Sequence, residues 1–244
     1  MAGERRLRIL SMLASQGADL TTARLCEVCV EVTAVSGAGI MLKSGDAAQG
    51  SVCTSNEVSA LIEQLQFALG EGPCLDAFHQ DRPVLEPDLA NPVMARWLAF
   101  SGPAIEAGVR AIFGFPLRVG AARLGALNLH SDQPRALTDD QHADALVMAD
   151  VASQAVLALQ ADAPPGKLGA ALEMDASFQY VVHQASGIVA AQLDVSVGQA
   201  LIRLKAYALR QWSAPDRGGR GCGGENAAFR RSRWGQWSGV MKGT

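Results

Sequence analysis

The sequence predicts an α+β fold, in which an antiparallel sheet is flanked by helices and followed by a small all-α (helical) domain. Three observations support this prediction. Apolar residues recur with helical spacing in several segments of the first 162 residues, two pairs of apolar strands are each joined by a short connection, and a helical block returns after a break at 164–166. This order of helices and hairpins is typical of the α+β class.

The first predicted elements are two helices and a hairpin. In the second helix, Leu25, Val28 and Cys29 fall on one face. A turn at Gly45-Asp46 separates two extended runs. The elements predicted in this part are helices over 4–16 and 21–34, and strands over 37–42 and 51–54.

A second group of elements follows and ends in a long helix. The run Gly70–Cys74 breaks one helix, and Gly120–Ala122 joins two strongly apolar strands. Thr138 and Gln141 form a capping box that begins the long helix. The elements predicted here are helices over 57–69, 75–79, 96–107 and 138–159, and strands over 82–86, 111–119 and 123–130.

The composition is that of a globular protein. The chain has 244 residues, of which 49% are hydrophobic and 18% charged. This length is enough for one or two domains, each with a hydrophobic core. The apolar run near the N-terminus is too short and broken for a signal peptide. No stretch reaches the roughly 18 apolar residues that span a bilayer. We therefore expect a cytoplasmic protein without a membrane partner.

The charge is unevenly distributed along the chain. The net charge is -3, but residues 211–244 are net positive and the rest of the chain is net negative. A negative main body argues against nucleic-acid binding by bulk electrostatics. Any contact with RNA must therefore be local.

The cysteines and histidines do not form a recognisable metal or catalytic motif. Cys26 and Cys29 form a CxxC on a predicted helix, where core packing is favoured over metal or redox chemistry because no second pair completes a site. Cys53 and Cys74 are expected to be small buried hydrophobes. Three of the four histidines are expected at the surface or in capping positions: His79, His130 and His142. We expect no metal, no cofactor and no enzymatic activity.

Residues 1–162 resemble a GAF domain, because several short motifs occur in the order typical of that family. The motifs are Gly70–Cys74, Pro83–Leu85, Trp97, Gly108–Arg110, Phe115–Leu117, Leu124–Leu129 and Leu137-Thr138. The resemblance implies a central antiparallel sheet and a pocket for a small ligand that the sequence does not identify. Trp97 and Arg110 are candidates for lining that pocket, with packing and salt bridges as the alternative.

Residues 172–210 predict two helices that meet at a well-marked joint. Ser196 and Gln199 form a capping box at the start of the second helix. The small-residue run Ala185–Val189 resembles the ANTAR domain, an RNA-binding module of transcription antiterminators. The resemblance implies binding of paired RNA hairpins by a dimer. It stops after Arg210, where that family would continue into a third helix, so the domain is incomplete.

Six residues are candidates for RNA contact. Gly187 lowers the stability of the predicted helix relative to alanine. Either close packing against another helix or close approach of an RNA backbone explains why a glycine stands there. Arg203 and Lys205 can reach phosphates, with a solvated face as the alternative. The remaining candidates are Ala185, which belongs to the small-residue run, and His183 and Gln184, which offer polar contacts. Tyr207 is either a core residue or a platform for a base.

The predicted organisation leads to two functional hypotheses. A linker over 163–171 joins the GAF-like domain to the ANTAR-like helices, and residues 211–244 form an atypical tail, either disordered or the product of a shifted reading frame. The first hypothesis is a transcription regulator that binds hairpin RNA to promote antitermination, under control of the GAF-like sensor. The alternative is a dimeric GAF-like sensor or scaffold that has lost specific RNA binding. In both, we expect a homodimer through the N-terminal helix and the long helix at 138–159.

Overall fold

The structure is a computed structural model that describes residues 2–14, 22–44, 47–162, 177–197, 199–200, 203–204 and 207. These residues belong to one compact unit, Met1–Leu209. The rest of the chain, Arg210–Thr244, forms the second unit and lies outside the described residues, as does the predicted linker.

A five-stranded sheet forms the centre of this unit. Its strand order is β2-β1-β5-β4-β3, and each neighbouring pair is antiparallel. The central strand β5 is paired on both sides along most of its length. The strands are β1 (Gly37–Ser44), β2 (Ala47–Thr54), β3 (Val84–Glu86), β4 (Ala111–Val119) and β5 (Ala122–Ser131).

Helices cover both faces of the sheet. Helices α1, α2 and α6 pack together on one side, and α3 and α4 pack against β1, β4 and β5. The helices are α1 (Ala2–Ala14), α2 (Thr22–Thr33), α3 (Glu57–Leu69), α4 (Pro73–Gln80), α5 (Ser101–Glu106), α6 (Asp139–Asp162) and α7 (Ser177–Leu193). The predicted α+β class is therefore confirmed.

The face toward α1, α2 and α6 is the main apolar core. Successive side chains of a strand point to opposite faces, so alternate residues of β1, β4 and β5 reach this core. The large buried side chains that the sheet contributes include Ile40, Phe113, Phe115, Leu127 and Leu129. Helix α6 contacts β4 as well as α1 and α2, which accounts for the breadth of its apolar face.

Ion pairs fix α1 along α6. Arg5 pairs with Asp140 and, at 2.9 Å, with the buried Asp144. Arg6 pairs with Asp150, which lies beyond Asp144 on α6. These pairs set the position of α1, whereas burial of Ile9 in the main core supplies the apolar contribution.

The start of α5 differs from the prediction. The pattern predicts a helix over 96–107, but the helix begins at Ser101. The preceding residues are held by side chains of other elements: the Trp97 indole donates to Asp76 at 3.0 Å, and the Ala99 amide donates to Glu71 at 2.9 Å. These tertiary contacts take the place of helical hydrogen bonds, so the local periodicity does not decide the structure there.

A disulfide corrects the prediction for Cys53. Cys53 is buried as predicted, but it is joined to Cys26 and so links β2 to α2 across 27 residues of sequence. The expectation of simple core packing for Cys26 and Cys53 is therefore wrong, because it considered the CxxC spacing and not the pairing of distant elements. Cys29 and Cys74 are free and buried, as expected.

The predicted joint between the C-terminal helices is confirmed. After α7, Asp194 takes a left-handed conformation with φ of 50°, and the Val195 amide donates back to Ala190 at 3.1 Å. The Ser196 amide donates to the Gln199 side chain, and the Gln199 amide donates to the Ser196 hydroxyl, both at 3.2 Å. This is the reciprocal arrangement of a capping box. Among the described residues, no helix combines the length and apolar character needed to cross a membrane.

Candidate functional site

The sheet face opposite the main core is polar where α3 and α4 cover it. In the register of the sheet, Asn128 of β5 lies between Gly39 of β1 and Gly114 of β4. Both glycines are close to the covering helices: a Cβ at position 39 would lie 2.8 Å from the Glu63 carboxyl, and one at 114 would lie 3.1 Å from the Cys74 amide nitrogen. The glycines therefore bring α3 and α4 directly against Asn128.

Glu63 of α3 is a buried acid on this face. Burial raises the pKa of Glu63 to about 8, and the neighbouring Asn128 amide acts in the opposite direction. No hydrogen bond of good geometry reaches either of its carboxyl oxygens. The group is therefore mostly protonated at neutral pH.

Gln66 and Asn128 are buried together with Glu63. The exposed fractions are 4% for Glu63 and 0% for both Gln66 and Asn128. The Gln66 side-chain oxygen accepts from the Cys74 amide at 2.9 Å. The Gln66 nitrogen lies beside the Cys74 thiol and the Asn128 amide beside the Glu63 carboxyl, but neither contact makes a hydrogen bond of good geometry. Buried polar groups are nearly always satisfied in proteins, so this buried polar cluster of Glu63, Gln66 and Asn128 is the strongest indication of a site.

Cys74 borders the cluster but is not activated. Burial raises the pKa of its thiol well above the usual range, and the nearby Glu63 carboxyl raises it further, against the effect of Gln66. A reactive cysteine needs a lowered pKa and access to solvent. Cys74 is therefore a packing residue of the cluster.

His130 lies on the same face of β5 and is buried, so of the two predicted positions, at the surface or near a helix cap, the surface position is wrong. Its Nε2 atom lies 3.0 Å from the Ser59 hydroxyl, and Ser59 in turn is held by the Asn56 side chain that caps α3. Burial lowers the pKa of His130 to about 4, although Asp132 acts against this. His130 is therefore neutral at pH 7 and fixes the start of α3.

The other predicted polar residues do not form a metal site within the part of the chain that the structure describes. No group of three or more His, Cys, Asp or Glu side chains lies close enough there to hold a metal ion. His79 is exposed, and the His142 ring packs edge-on against Phe115 with 5.4 Å between the ring centroids.

The predicted RNA-contact residues of α7 divide between its two sides. Gln184 and Gly187 are exposed, and a Cβ at position 187 would meet nothing within 4 Å. Ala185 is buried and offers little surface to RNA. His183 belongs to α7, but its side chain lies outside the described residues.

The second C-terminal helix presents two of the predicted residues to solvent. Arg203 is exposed and Tyr207 is half-exposed, so a core role for Tyr207 is not supported within this unit. Lys205 lies outside the described residues. Their roles in RNA binding remain predictions.

The comparison with protein families agrees with the sheet and its covering helices. The family model described as GAF domain matches residues 18–160, more than half of the chain. The chain belongs to the GAF family. The ANTAR-like helices lie beyond the matched residues.

Solved structures show the same fold. The chain is similar to the GAF domain of an Acinetobacter phosphoenolpyruvate-protein phosphotransferase, at 12% identity and a TM-score of 0.51, over 66% of this chain and 96% of that one. It is also similar to the corresponding domain from Coxiella burnetii, at 13% identity and a TM-score of 0.50, over 65% and 96%. No curated protein matches the chain.

Within the GAF domain, the run Gly70–Cys74 holds the cluster together. Gly72 has a φ of 137°, a conformation that side chains rarely adopt, and a Cβ there would meet the Gln66 side chain at 2.5 Å. Pro73 begins α4, where its missing amide hydrogen costs nothing. The motif therefore packs Gln66 beneath the start of α4 and orients the Cys74 amide toward it.

The two predicted pocket residues of the GAF domain have structural partners. Trp97 is buried, packs edge-on against Phe100 with 6.2 Å between the centroids, and donates to Asp76. Arg110 donates to the carbonyl oxygens of Ile105 and Val109 at 2.8 and 3.0 Å, beside the end of α5. Neither belongs to the buried polar cluster, and their contact with a ligand remains a prediction.

The sequence interpretation missed the residues of the cluster. Glu63 and Gln66 stand outside the apolar stripe of α3, so their pattern resembles a solvated face. A signal was nevertheless present in β5, where Asn128 interrupts the apolar run Leu124–Leu129. An amide in a central strand that is buried on both faces calls for a partner.

Proposed function

We propose that this protein is a cytoplasmic transcription regulator that binds hairpin RNA through its C-terminal helices to promote antitermination, under control of its GAF domain. The GAF domain supplies the sensor. The two helices joined at Ser196 supply the RNA contact. Both hypotheses drawn from the sequence include the sensor, and they differ in whether specific RNA binding is retained.

The exposed position of Gly187 is the observation that carries the proposal. A glycine inside a helix costs about 1 kcal/mol relative to alanine. Close packing within this unit does not explain that cost, because a Cβ at position 187 would meet no atom within 4 Å. The surface around Gly187 is therefore available to a partner whose backbone approaches the helix closely.

The joint between the two helices gives this surface a defined geometry. The capping box of Ser196 and Gln199 fixes where the second helix begins. Along that helix Arg203 and Tyr207 are exposed. A guanidinium group binds phosphate through charge-assisted hydrogen bonds, and a tyrosine ring stacks on an unpaired base of a loop. An RNA hairpin presents both of these groups, phosphates along its backbone and unpaired bases in its loop.

The charge of the chain favours a local and bivalent mode of binding. At a net charge of -3, non-specific attraction of RNA is weak. Two modules in a dimer would bind two hairpins of one RNA, and the second contact would then be intramolecular. Bivalent engagement therefore offsets the small number of cations in each module.

A titration of paired-hairpin RNA into the complete chain at moderate salt tests the proposal. Gly187→Glu places a negative, bulky group on the proposed contact surface, and we expect at least about tenfold weaker binding. Gln192→Glu introduces the same charge at another exposed position of α7 and serves as the matched control. We expect its affinity to stay within about twofold of the wild type.

Either of two results contradicts RNA recognition at this surface. The first is absence of binding by the wild type, and the second is equal loss of affinity in both variants. Both results would leave the alternative function, a GAF sensor or scaffold without specific RNA binding. The exposed leucines Leu7 and Leu10 of α1 and Leu146 of α6 favour a dimer in that alternative as well.

A further inference from the structure

Helix α3 contacts both the sheet of the GAF domain and the C-terminal helix α7. The side of α3 that packs on the domain carries its buried residues, among them Ile62, Glu63 and Gln66. Since the sheet and α5 occupy that side, α7 contacts α3 from another side. Helix α3 therefore connects the sheet of the GAF domain with the helix that carries Gly187.

The side of α3 away from the sheet carries a stripe of half-buried residues. Ala60, Gln64 and Phe67 are four and three positions apart, so they lie on one face of the helix. In the part of the chain that the structure describes, Phe67 does not pack against the two larger apolar clusters of the GAF domain. These three residues, the outer stripe of α3, are the surface that α3 offers to α7.

Helix α7 has a covered face and an open face. Ala185, Ser186 and Ala190 are buried, and the helical repeat places them on one side. Gln184 and Gly187 are exposed on the opposite side. The covered face of α7 consists of small side chains, which allow a second helix to approach closely.

We propose that the covered face of α7 docks on the outer stripe of α3 and that this contact is an autoinhibitory latch, which restricts the access of RNA to α7. The inference rests on the RNA-binding function proposed above and names how the GAF domain regulates it. While α7 is docked, Ala185 and Ser186 are closed to RNA. Release of α7 opens both of its faces, so hairpin affinity rises.

The position of Gly187 beside the covered face explains why docking weakens RNA binding. Ser186 directly precedes Gly187 in the chain, and Ser186 is buried whereas Gly187 is exposed. A paired RNA stem is wider than an α-helix, so a stem that approaches Gly187 closely also meets the domain docked beside it. The docked state therefore allows RNA contact but limits how much of the stem can be bound.

The composition of the contact suits a latch that opens and closes. Two of the three buried residues on the covered face are alanines, and an alanine side chain buries little apolar surface. On the outer stripe, the Gln64 side chain is polar and only half-buried. Contacts of this kind resemble transient interfaces between domains, and a permanent interface is larger and more hydrophobic.

Helix α3 gives the GAF domain a direct route to the latch. Its buried side lies against the sheet, where Glu63 packs over Gly39 and Gln66 lies beneath the start of α4. Because a helix moves as a rigid element, a displacement of this side on the sheet also displaces the outer stripe. A signal that shifts α3 therefore changes the docking of α7 without contacting α7 itself.

Titration of paired-hairpin RNA into the complete chain with a substitution on α3 tests the latch. Ala60→Glu places a charged group in the docked contact, and α3 takes no part in the proposed RNA surface. We expect release of α7 and at least about fivefold tighter hairpin binding. Ala95→Glu makes the same change at an exposed loop position and controls for the added negative charge. We expect its affinity to stay within about twofold of the wild type.

A second variant and a second measurement separate the latch from a loss of folding. Phe67→Ala removes an apolar contact of the outer stripe without adding charge, and we expect it to tighten hairpin binding as well. Amide hydrogen exchange over Ser177–Leu193 measures the docking itself. We expect at least about threefold faster exchange there in both α3 variants than in the wild type or Ala95→Glu. Thermal unfolding verifies that the variants are folded.

Three results overturn the latch: unchanged hairpin affinity in both α3 variants, weaker binding by both, or unchanged hydrogen exchange in α7. Weaker binding would show that docking orients α7 for RNA instead of restraining it. In these three cases the wild type binds the hairpin, so the proposed RNA-binding function stands. Absence of hairpin binding by the wild type and by every variant contradicts that function and the latch together.

Discussion

At the scale of single residues, Glu63 and His130 give the sheet face opposite the main core its pH response. Both are buried ionisable groups, and burial favours the neutral form of each. Their pKa values therefore move in opposite directions, to about 8 for Glu63 and to about 4 for His130. The free energy of unfolding depends on both shifts.

The two shifts predict a characteristic dependence of stability on pH. Folded Glu63 holds its proton up to about pH 8 but the unfolded form loses it near 4.5, so stability falls as pH rises between these values, by at most about 1.4 kcal/mol per pH unit. Unfolded His130 holds a proton up to 6.5 but the folded form only to about 4, so stability rises with pH in that window. The slopes cancel up to about pH 6.5, and stability falls from there to about pH 8.

Urea unfolding between about pH 5 and 8.5 measures this profile. Glu63→Gln removes the contribution of Glu63, which decreases as pH rises, and leaves that of His130. We therefore expect the free energy of unfolding to rise up to about pH 6.5 and then stay level. Glu57→Gln is the control and is expected to keep the wild-type profile. A wild-type profile that stays level between pH 6.5 and 8 would show that Glu63 ionises normally and would contradict the buried-acid assignment.

The sequence alone did not identify these residues, for a physical reason. A helical pattern shows which residues of α3 are polar, but it does not show whether they are buried. The polar face of α3 is buried because Gly39 and Gly114 let the helices approach the sheet. That approach depends on the register of β1, β4 and β5, which local periodicity does not reveal. The sequence did identify Gly187, because a glycine lowers the stability of a helix through its own backbone and whatever packs against it.

At the scale of elements, the sequence predicts a feature correctly when the residues that produce it are close together in the chain. The capping boxes at Thr138 and Ser196 were predicted because their hydrogen bonds join residues three positions apart. The start of α5 was mispredicted because Trp97 and Ala99 bond to α4 and the loop before it. The pairing of Cys26 with Cys53 depends on the packing of α2 on β2, which the sequence pattern does not encode.

The disulfide between α2 and β2 predicts a redox-dependent stability. Closing a loop of 27 residues is worth about 3.5 kcal/mol in the chain-entropy treatment. We expect Cys53→Ser to lower the free energy of unfolding by about that amount when the wild type is oxidised. Urea unfolding with and without dithiothreitol measures the difference.

In dithiothreitol the wild type is expected to approach the stability of the variant, because neither protein then has a covalent bond between positions 26 and 53. Cys29→Ser is the control, since Cys29 is buried on the same helix and free. It is expected to keep the response to dithiothreitol. If the wild type unfolds identically in both conditions, the disulfide does not form in the protein, which would contradict this prediction.

At the scale of the whole molecule, the exposed leucines of α1 and α6 support the homodimer that both functional hypotheses include. Leu7 is 70% exposed although it lies on a helix anchored to α6 by ion pairs. We expect the wild type to be a dimer and Leu7→Glu to be a monomer, because a carboxylate in an apolar interface remains unpaired. Light scattering after size-exclusion chromatography measures the mass.

Val93→Glu is the matched control for this experiment. Val93 is fully exposed in the loop between β3 and α5, away from α1 and α6 in sequence. We expect this variant to remain a dimer. A monomeric wild type, or loss of the dimer in both variants, would contradict an interface at α1.

The domain organisation follows from the sequence only in part. The order of motifs predicted the GAF domain, because that order extends over most of the fold and the family model matches the same region. The linker at 163–171 and the tail at 211–244 lie outside the described residues, and their assignment stays a prediction. Resequencing the coding DNA around codons 208–214 tests the hypothesis of a shifted frame.

The effect of Gly187→Ala on both stability and RNA affinity tests the central claim most directly. Alanine favours the helix by about 1 kcal/mol and meets nothing within 4 Å, so we expect a higher melting temperature. If an RNA backbone approaches Gly187, the added methyl group weakens hairpin binding in the same protein. A more stable variant with weaker RNA binding is the predicted result, and a more stable variant with unchanged RNA affinity would contradict the account.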